Sequence, residues 1–266
     1  MIENPKRESL ISSESAVSAV VGLVLALGLL ILVIGMIRAS YVPIWIGDAK
    51  YAHMDDAWRD MAELKTNIDL LSAVITVNPT YKLSTDTSID MGGGAIPIIN
   101  SRKSSGSLSL NTDTYDMTIS AINISVPVTV YDSGTDLSGL GTIRYTSKNN
   151  HYLDQTFAYE NGVLILVQES RTLLKLSPGF SIAKPTSDTI AILVNAIEVQ
   201  GASQSIGGSG MENVFISSDT SSSLFSGGGI TDLTIVVDSD FPSACVRSLQ
   251  RVRPSRSTPL QTITFL

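Results

Sequence analysis

Cysteine is almost missing from this chain. Its 266 residues contain one, Cys245, so no disulfide can close within the chain and no cysteine-type zinc site can be assembled. Histidine is nearly as scarce. His53 and His151 are the two imidazoles available to a metal or to acid–base chemistry, and they lie on dissimilar segments, so abundant serine does not add up to a Ser-His-Asp arrangement. Positive charge is sparse as well. With 18 Lys and Arg against 25 Asp and Glu the net charge is −7, and outside the extreme C-terminus no basic patch exists, which excludes nucleic acid as a partner.

Chemical motifs are absent in the same way. There is no P-loop, dinucleotide fingerprint or His-Glu-x-x-His, and neither glycine triplet, Gly92 to Gly94 or Gly227 to Gly229, is followed by the Lys-Ser/Thr that a phosphate cradle requires. No cofactor, metal or enzymatic activity is expected. Asp132-Ser133-Gly134-Thr135-Asp136 alternates oxygen ligands as a calcium loop does, but it lacks the later glutamate and reads as a polar turn. Cys245 has no basic neighbour nearer than Arg247 and reads as an inert thiol. His53 reads as a boundary residue on a helix, and His151 as part of a turn after Asn149-Asn150.

What the chain does have is one long hydrophobic run. Ala16 to Ile37 carries no charge and a single hydroxyl, Ser18. At 1.5 Å per residue, about 20 apolar residues cross a ~30 Å hydrocarbon core, so the run predicts a membrane span. A cleaved secretory signal is the alternative, but its apolar region is shorter, and Ala39-Ser40-Tyr41 makes a poor cleavage site. Gly22, Gly28 and Gly35 alternate with Leu, Val and Ile on every face, which suits lipid better than a soluble core. Tyr41 and Trp45 fall where an aromatic belt meets the headgroups. Membrane lipid is thus an expected partner.

Pro43 follows the span and is expected to kink the helix or to separate the anchor from a second one. From Ile46 to Ile75 the pattern is amphipathic. Met54, Trp58, Met61, Leu64, Ile68, Leu71 and Ile75 recur at three- and four-residue spacing, with Asp55 and Arg59 as an i,i+4 pair on another face. The stripe suits packing on the protein's own β domain, on neighbouring copies, or on both. Asn78-Pro79 ends the helix.

Beyond Gly92-Gly93-Gly94 the period changes to two. Strands are predicted at 107–110, 117–120, 122–130, 142–145, 163–168, 190–199, 214–217 and 233–237, separated by turn signals. Asn161-Gly162, between Phe157-Ala158-Tyr159 and Val163 to Val167, is the clearest hairpin, and Pro127 marks an edge or bulge. The expected fold class is α+β: a long N-terminal transmembrane and amphipathic helix followed by an antiparallel β-sandwich-like domain. The expected organisation is a polar tail over 1–15, a transmembrane helix over 16–37, an amphipathic extension over 38–77, an extracellular β-rich domain over 78–241 and a basic C-terminal tail over 242–266. Asn123-Ile124-Ser125 is a glycan acceptor pattern, with Asn123 as the acceptor.

Two stretches carry a resemblance. Glu14-Ser15-Ala16-Val17-Ser18-Ala19-Val20-Val21-Gly22 resembles the start of archaeal type IV pilins, where an acidic residue precedes Ala-Val-Ser-Pro-Val-Ile-Gly and an apolar helix; Ala19 stands where that pattern has proline. Tyr41-Val42-Pro43-Ile44-Trp45, followed by His53-Met54 and Leu64, is similar to a group of uncharacterised archaeal pilin-like membrane proteins. Ser105-Gly106-Ser107-Leu108 and Tyr159-Glu160-Asn161-Gly162-Val163 fit more loosely.

The resemblance implies an exported, membrane-anchored surface protein without chemistry, able to polymerise with itself or with other pilins. It also implies a prepilin-type peptidase as a partner. A cut between Ser9 and Leu10 would remove a 1–9 leader and place Glu14 fifth in the product, downstream of Lys6-Arg7. Glu14 would then set register against a neighbouring N-terminal amine, while Val17, Val21 and Val24 would pack on equivalent helices. Each aliphatic side chain so buried is worth about 1.5–3 kcal/mol. The rival expectation is a permanently anchored extracellular binding or adhesion module that never polymerises.

Overall fold

The computed structural model describes residues 6–96, 103–123, 129–132, 137–149, 152–169, 171–177, 181–183, 191–193, 195–221 and 230–242. The fold is α+β. A helical rod runs from α1 (Lys6–Met36) through a five-residue π-helical turn (Ile37–Tyr41) into α2 (Val42–Val77). Among the described residues twelve strands follow: β1 (Ser84–Asp90), β2 (Ser105–Asn123), β3 (Thr129–Asp132), β4 (Leu140–Lys148), β5 (Gln155–Glu160), β6 (Val163–Gln168), β7 (Arg171–Leu176), β8 (Ser181–Ala183), β9 (Ala191–Leu193), β10 (Gln204–Gly208), β11 (Met211–Ser217) and β12 (Ile230–Asp238).

Pro43 neither breaks the rod nor splits it into separate helices. A proline at this position has no N–H to give to Ala39, and its ring crowds that carbonyl. The chain absorbs the conflict by widening to a π turn just upstream, where Val42 N–H bonds to Ile37 O, five residues back. Helical dihedrals are kept on both sides, at Met36 and at Val42.

All strand pairing among the described residues is antiparallel. The principal sheet has the order β10-β2-β4-β5-β6-β7, with β12 and β3 both pairing along the far part of β2. A second ribbon joins β1 to β11. The predicted strands 107–110 and 117–120 are one long strand, β2. Its ladder slips between Leu110 and Thr114, where Asn111 takes φ of 51°. Asn161 and Gly162 (φ 44° and 75°) form the two-residue β5–β6 turn with both dihedrals positive, the arrangement for which Asn-Gly is favoured.

The predicted strand 190–199 is a correction: β9 accounts for 191–193, and 195–200 is irregular. Side chains, not a ladder, satisfy that stretch. Asn161 Oδ1 accepts from Ile197 N–H at 2.8 Å, and Asn111 Nδ2 donates to Val199 O at 3.1 Å.

The main core lies between α2 and the sheet. Met54, Ala57, Met61, Leu64 and Ile68 pack on Ile89 of β1 and Met91 just after it, Ile143 and Tyr145 of β4, Phe157 and Tyr159 of β5, and Leu164 and Leu166 of β6. Val214 and Ile216 of β11 join from the flanking ribbon. Among the residues of the predicted stripe, Leu71 is also buried, Trp58 packs against the core and Ile75 is half-buried. Of its two candidate surfaces, α2 uses the protein's own sheet. The expected Asp55–Arg59 pair forms at 2.5 Å, and Asp56 joins it at 3.1 Å.

Candidate functional site

The rod is divided sharply in its surroundings. α2 buries ten residues, whereas none of the apolar residues of α1 from Val17 on is covered. Val17, Val21 and Val24 are 63%, 52% and 61% exposed, and Leu23, Leu25, Leu29, Ile31 and Leu32 are exposed to a similar degree. This is the one helix among the described residues long and apolar enough to cross a membrane. A Cβ placed on Gly22, Gly28 or Gly35 would meet nothing within 4 Å. No contact within the chain therefore offsets the roughly 1 kcal/mol that each interior glycine costs a helix.

Ser9, Leu10 and Glu14 lie within α1, and their side chains fall outside the described residues. Asn123 is the last residue of β2, opposite Ile230 of β12; its side chain and the rest of the glycan acceptor pattern are outside them too. So are His151, Cys245, the 133–136 part of the acidic loop, Pro127 and the basic tail beyond Pro242.

His53 occupies a different place from the boundary position expected of it. It is buried where α2 meets the sheet, and its Nε2 lies 3.1 Å from the Tyr145 hydroxyl. Tyr145 gives its proton to Met91 O at 3.2 Å, so the imidazole N–H must be the donor to the tyrosine oxygen. Gly93 closes the site from above. A Cβ there would overlap the His53 ring, and one on Gly94 would overlap the stem of buried Lys50. This close approach is why the loop after β1 is glycine-rich.

Burial lowers the His53 pKa, opposed by Asp90, Asp56 and Asp60 and reinforced by Lys103. Burial likewise lowers Lys50 and pushes the Tyr145 phenol up to about 12. Asp60 is raised, chiefly by burial, although its carboxylate accepts the Asp90 backbone N–H at 3.0 Å. The network joins helix to sheet through polar groups, and among the described residues no group of three or more His, Cys, Asp or Glu side chains could hold a metal.

A second polar knot ties the end of β12 to the sheet. Arg144 of β4 reaches Asp113 at 3.0 Å, Asp240 at 2.9 Å and the buried Glu160 at 3.4 Å, and its guanidinium sits 5.0 Å from the Phe241 ring centre. Ser239 donates to Glu160 from the same segment. Burial raises the Glu160 pKa, against the pull of Ser239 and Arg144.

Where α2 begins beside the β domain, Pro43, Ile44, Gly47, Asp48, Tyr51 and Tyr152 line an open groove of about 520 Å3. Tyr51 and Tyr152 meet edge to face, with ring centres 6.0 Å apart. Sequence patterning marked the aromatic character of Tyr41 and Trp45 but not this groove, because Tyr152 reaches α2 only through the fold.

These features define a class: a protein with one helix of membrane-spanning length, continuous with a helix that is the spine of an antiparallel β domain. The chain belongs to a family of unknown function, DUF7289, whose pattern matches residues 16–262, from the start of the apolar helix nearly to the C-terminus. No curated protein and no solved structure matches it.

Proposed function

We propose that this protein is a non-enzymatic, pilin-like cell-surface subunit. Residues 16–37 anchor it, the bulk of the chain lies outside the cell, and the N-terminal helix assembles it with copies of itself or with other pilins. The observation that carries this reading is the division of one continuous rod: α2 spends its apolar stripe on the sheet, and α1 keeps its own bare.

In the membrane, lipid covers that bare surface. In a filament, Val17, Val21 and Val24 would pack on equivalent helices, and the uncrowded glycines at 22, 28 and 35 would let backbones approach. Cleavage between Ser9 and Leu10 by a prepilin-type peptidase would leave Glu14 near a free amine, able to meet the next subunit. Such head-to-tail contacts do not close on themselves, so the product is an open filament. Glu14→Ala tests the assembly role: expression and membrane level should hold while sheared filament yield falls. Normal yield from that variant would contradict it.

The second reading, a permanently anchored binding or adhesion module, draws on the far end of the domain. Val77 and Phe215 are highly exposed there, at the end of α2 remote from the anchor and on the outward face of β11. Under that reading Glu14→Ala changes nothing and no subunit appears in sheared material.

A further inference from the structure

The groove between anchor and sheet has a position and a chemistry that the assembly reading does not use. Its floor is Pro43, Ile44 and Gly47, its walls are Tyr51 and Tyr152, and its charged lining residue is Asp48. Pro43 lies six residues beyond Ile37, about 9 Å along a helix, and the headgroup layer is about 5–8 Å deep in each leaflet. The groove therefore begins at the outer margin of that layer.

Two features bring it closer to lipid. From Ile37 to Gly47 the sequence carries one charge, Arg38, whose aliphatic stem can snorkel and so let the rod sit deeper. An apolar stretch longer than the hydrocarbon thickness also tilts, by about 20° on average. A tilt toward the β domain lowers Tyr152 and Leu153. The apolar groups on this side stay open to solvent even where they touch one another, as Tyr51 touches Tyr152: Ile44 is 59% exposed, Tyr51 62% and Leu153 45%.

We infer that this groove holds a membrane lipid, seated between the helix and Tyr152, with its glycerol end on Ile44 and Gly47 and its headgroup toward Asp48. The surface is continuous with the spanning helix, so lipid already surrounds its lower end. Its carboxylate selects the headgroup. Asp48 accepts hydrogen bonds and carries negative charge, so it favours a headgroup with ammonium or hydroxyl donors and disfavours a bare phosphate. The exposed tyrosine rings of Tyr41 and Tyr51 and the indole of Trp45 present the mixed apolar and polar character that belongs at such a boundary. A domain held in this way lies against the bilayer and does not swing freely from its anchor. The inference rests on residues 16–37 spanning the membrane.

The test uses the full chain with Cys245→Ser and one nitroxide label per sample, at Leu153→Cys, Val24→Cys or Phe215→Cys, in vesicles rich in phosphatidylethanolamine. Collision with a water-soluble nickel chelate and with oxygen then reports whether each label is in water or lipid. The expected result is a lipid-like label at 24, an aqueous label at 215, and several-fold lower nickel access at 153 than at 215. Replacing phosphatidylethanolamine with phosphatidic acid, or adding Tyr51→Ser, should restore nickel access at 153. If 153 is as aqueous as 215 while 24 stays in lipid, the groove holds no lipid and the anchor stands. If 24 is aqueous too, the anchor itself falls, and this inference with it. Spin–spin broadening at 153 that vanishes when protein is diluted into excess vesicles would show a second copy in the groove and overturn the lipid assignment.

Discussion

His53 and Tyr145, 92 residues apart in sequence, meet at 3.1 Å in the seam between α2 and the sheet, and Tyr145 passes the bond on to Met91 O at 3.2 Å. Removing the phenol oxygen strands two buried groups at once. Tyr145→Phe should therefore destabilise the detergent-solubilised protein by about 1–3 kcal/mol, read as a lower denaturant midpoint with unchanged slope. A midpoint equal to wild type would mean that water replaces the tyrosine.

The same seam predicts a pH response. Burial holds the His53 pKa below its ordinary value, so the unfolded chain takes up a proton before the folded one does. The resulting stability is fully present above the unfolded value of about 6.5 and is lost as pH falls below it toward the depressed folded value. Asp60 and Glu160, whose pKa values are raised, act in the opposite sense, the folded state taking up their protons first as pH falls. Wild type should lose stability relative to His53→Gln as pH falls below about 6.5, measured as the difference between two denaturation series. Parallel series would refute the assignment to His53.

Gly93 and Gly162 differ in why they are glycine. At Gly93 the obstacle is steric, because a Cβ would enter the His53 ring. At Gly162 it is the positive φ of 75° in the β5–β6 turn. Gly162→Ala should cost about 1 kcal/mol, the penalty of a left-handed residue. Gly93→Ala should cost more, and a paired His53→Ala should recover part of that loss. Simple additivity of the two changes would show that they do not touch.

Arg144 neutralises Glu160, which is 3% exposed, within 3.4 Å. Arg144→Met leaves that carboxylate buried with no opposite charge and only the Ser239 hydroxyl bonded to it, a loss on the order of 3 kcal/mol. Adding Glu160→Gln should restore much of it, because the unpaired charge is what costs. No rescue in thermal melts of the double variant would place the role of Arg144 with Asp113 and Asp240 instead.

The parts of the fold legible in the sequence are those in which periodicity and burial coincide. The stripe from Met54 to Leu71 declares a helix with one covered face, and Asn161-Gly162 declares its turn through the dihedrals it adopts. β1 was not legible. Ser84 to Asp90 is almost wholly polar, and only Thr87 and Ile89 reach the core, so a ribbon strand with one wet face offers no apolar alternation. Residues 195–199 misled in the other direction. Ile197 and Val199 pack on the core while their backbone bonds to side chains, so apolar character there did not imply a ladder. The His53–Tyr145 seam was hidden because sequence spacing carries no information about a contact made across the fold.

The central claim is that the bare anchor helix belongs to a processed, polymerising subunit. The most direct measurement is intact mass with N-terminal sequencing of the native protein, taken separately from membranes and from material sheared off the cell surface. A start at Leu10, with the protein present in the sheared fraction, is the predicted result. A start at Met1, with all of the protein retained in membranes, would contradict it and leave a permanent anchor for the β domain.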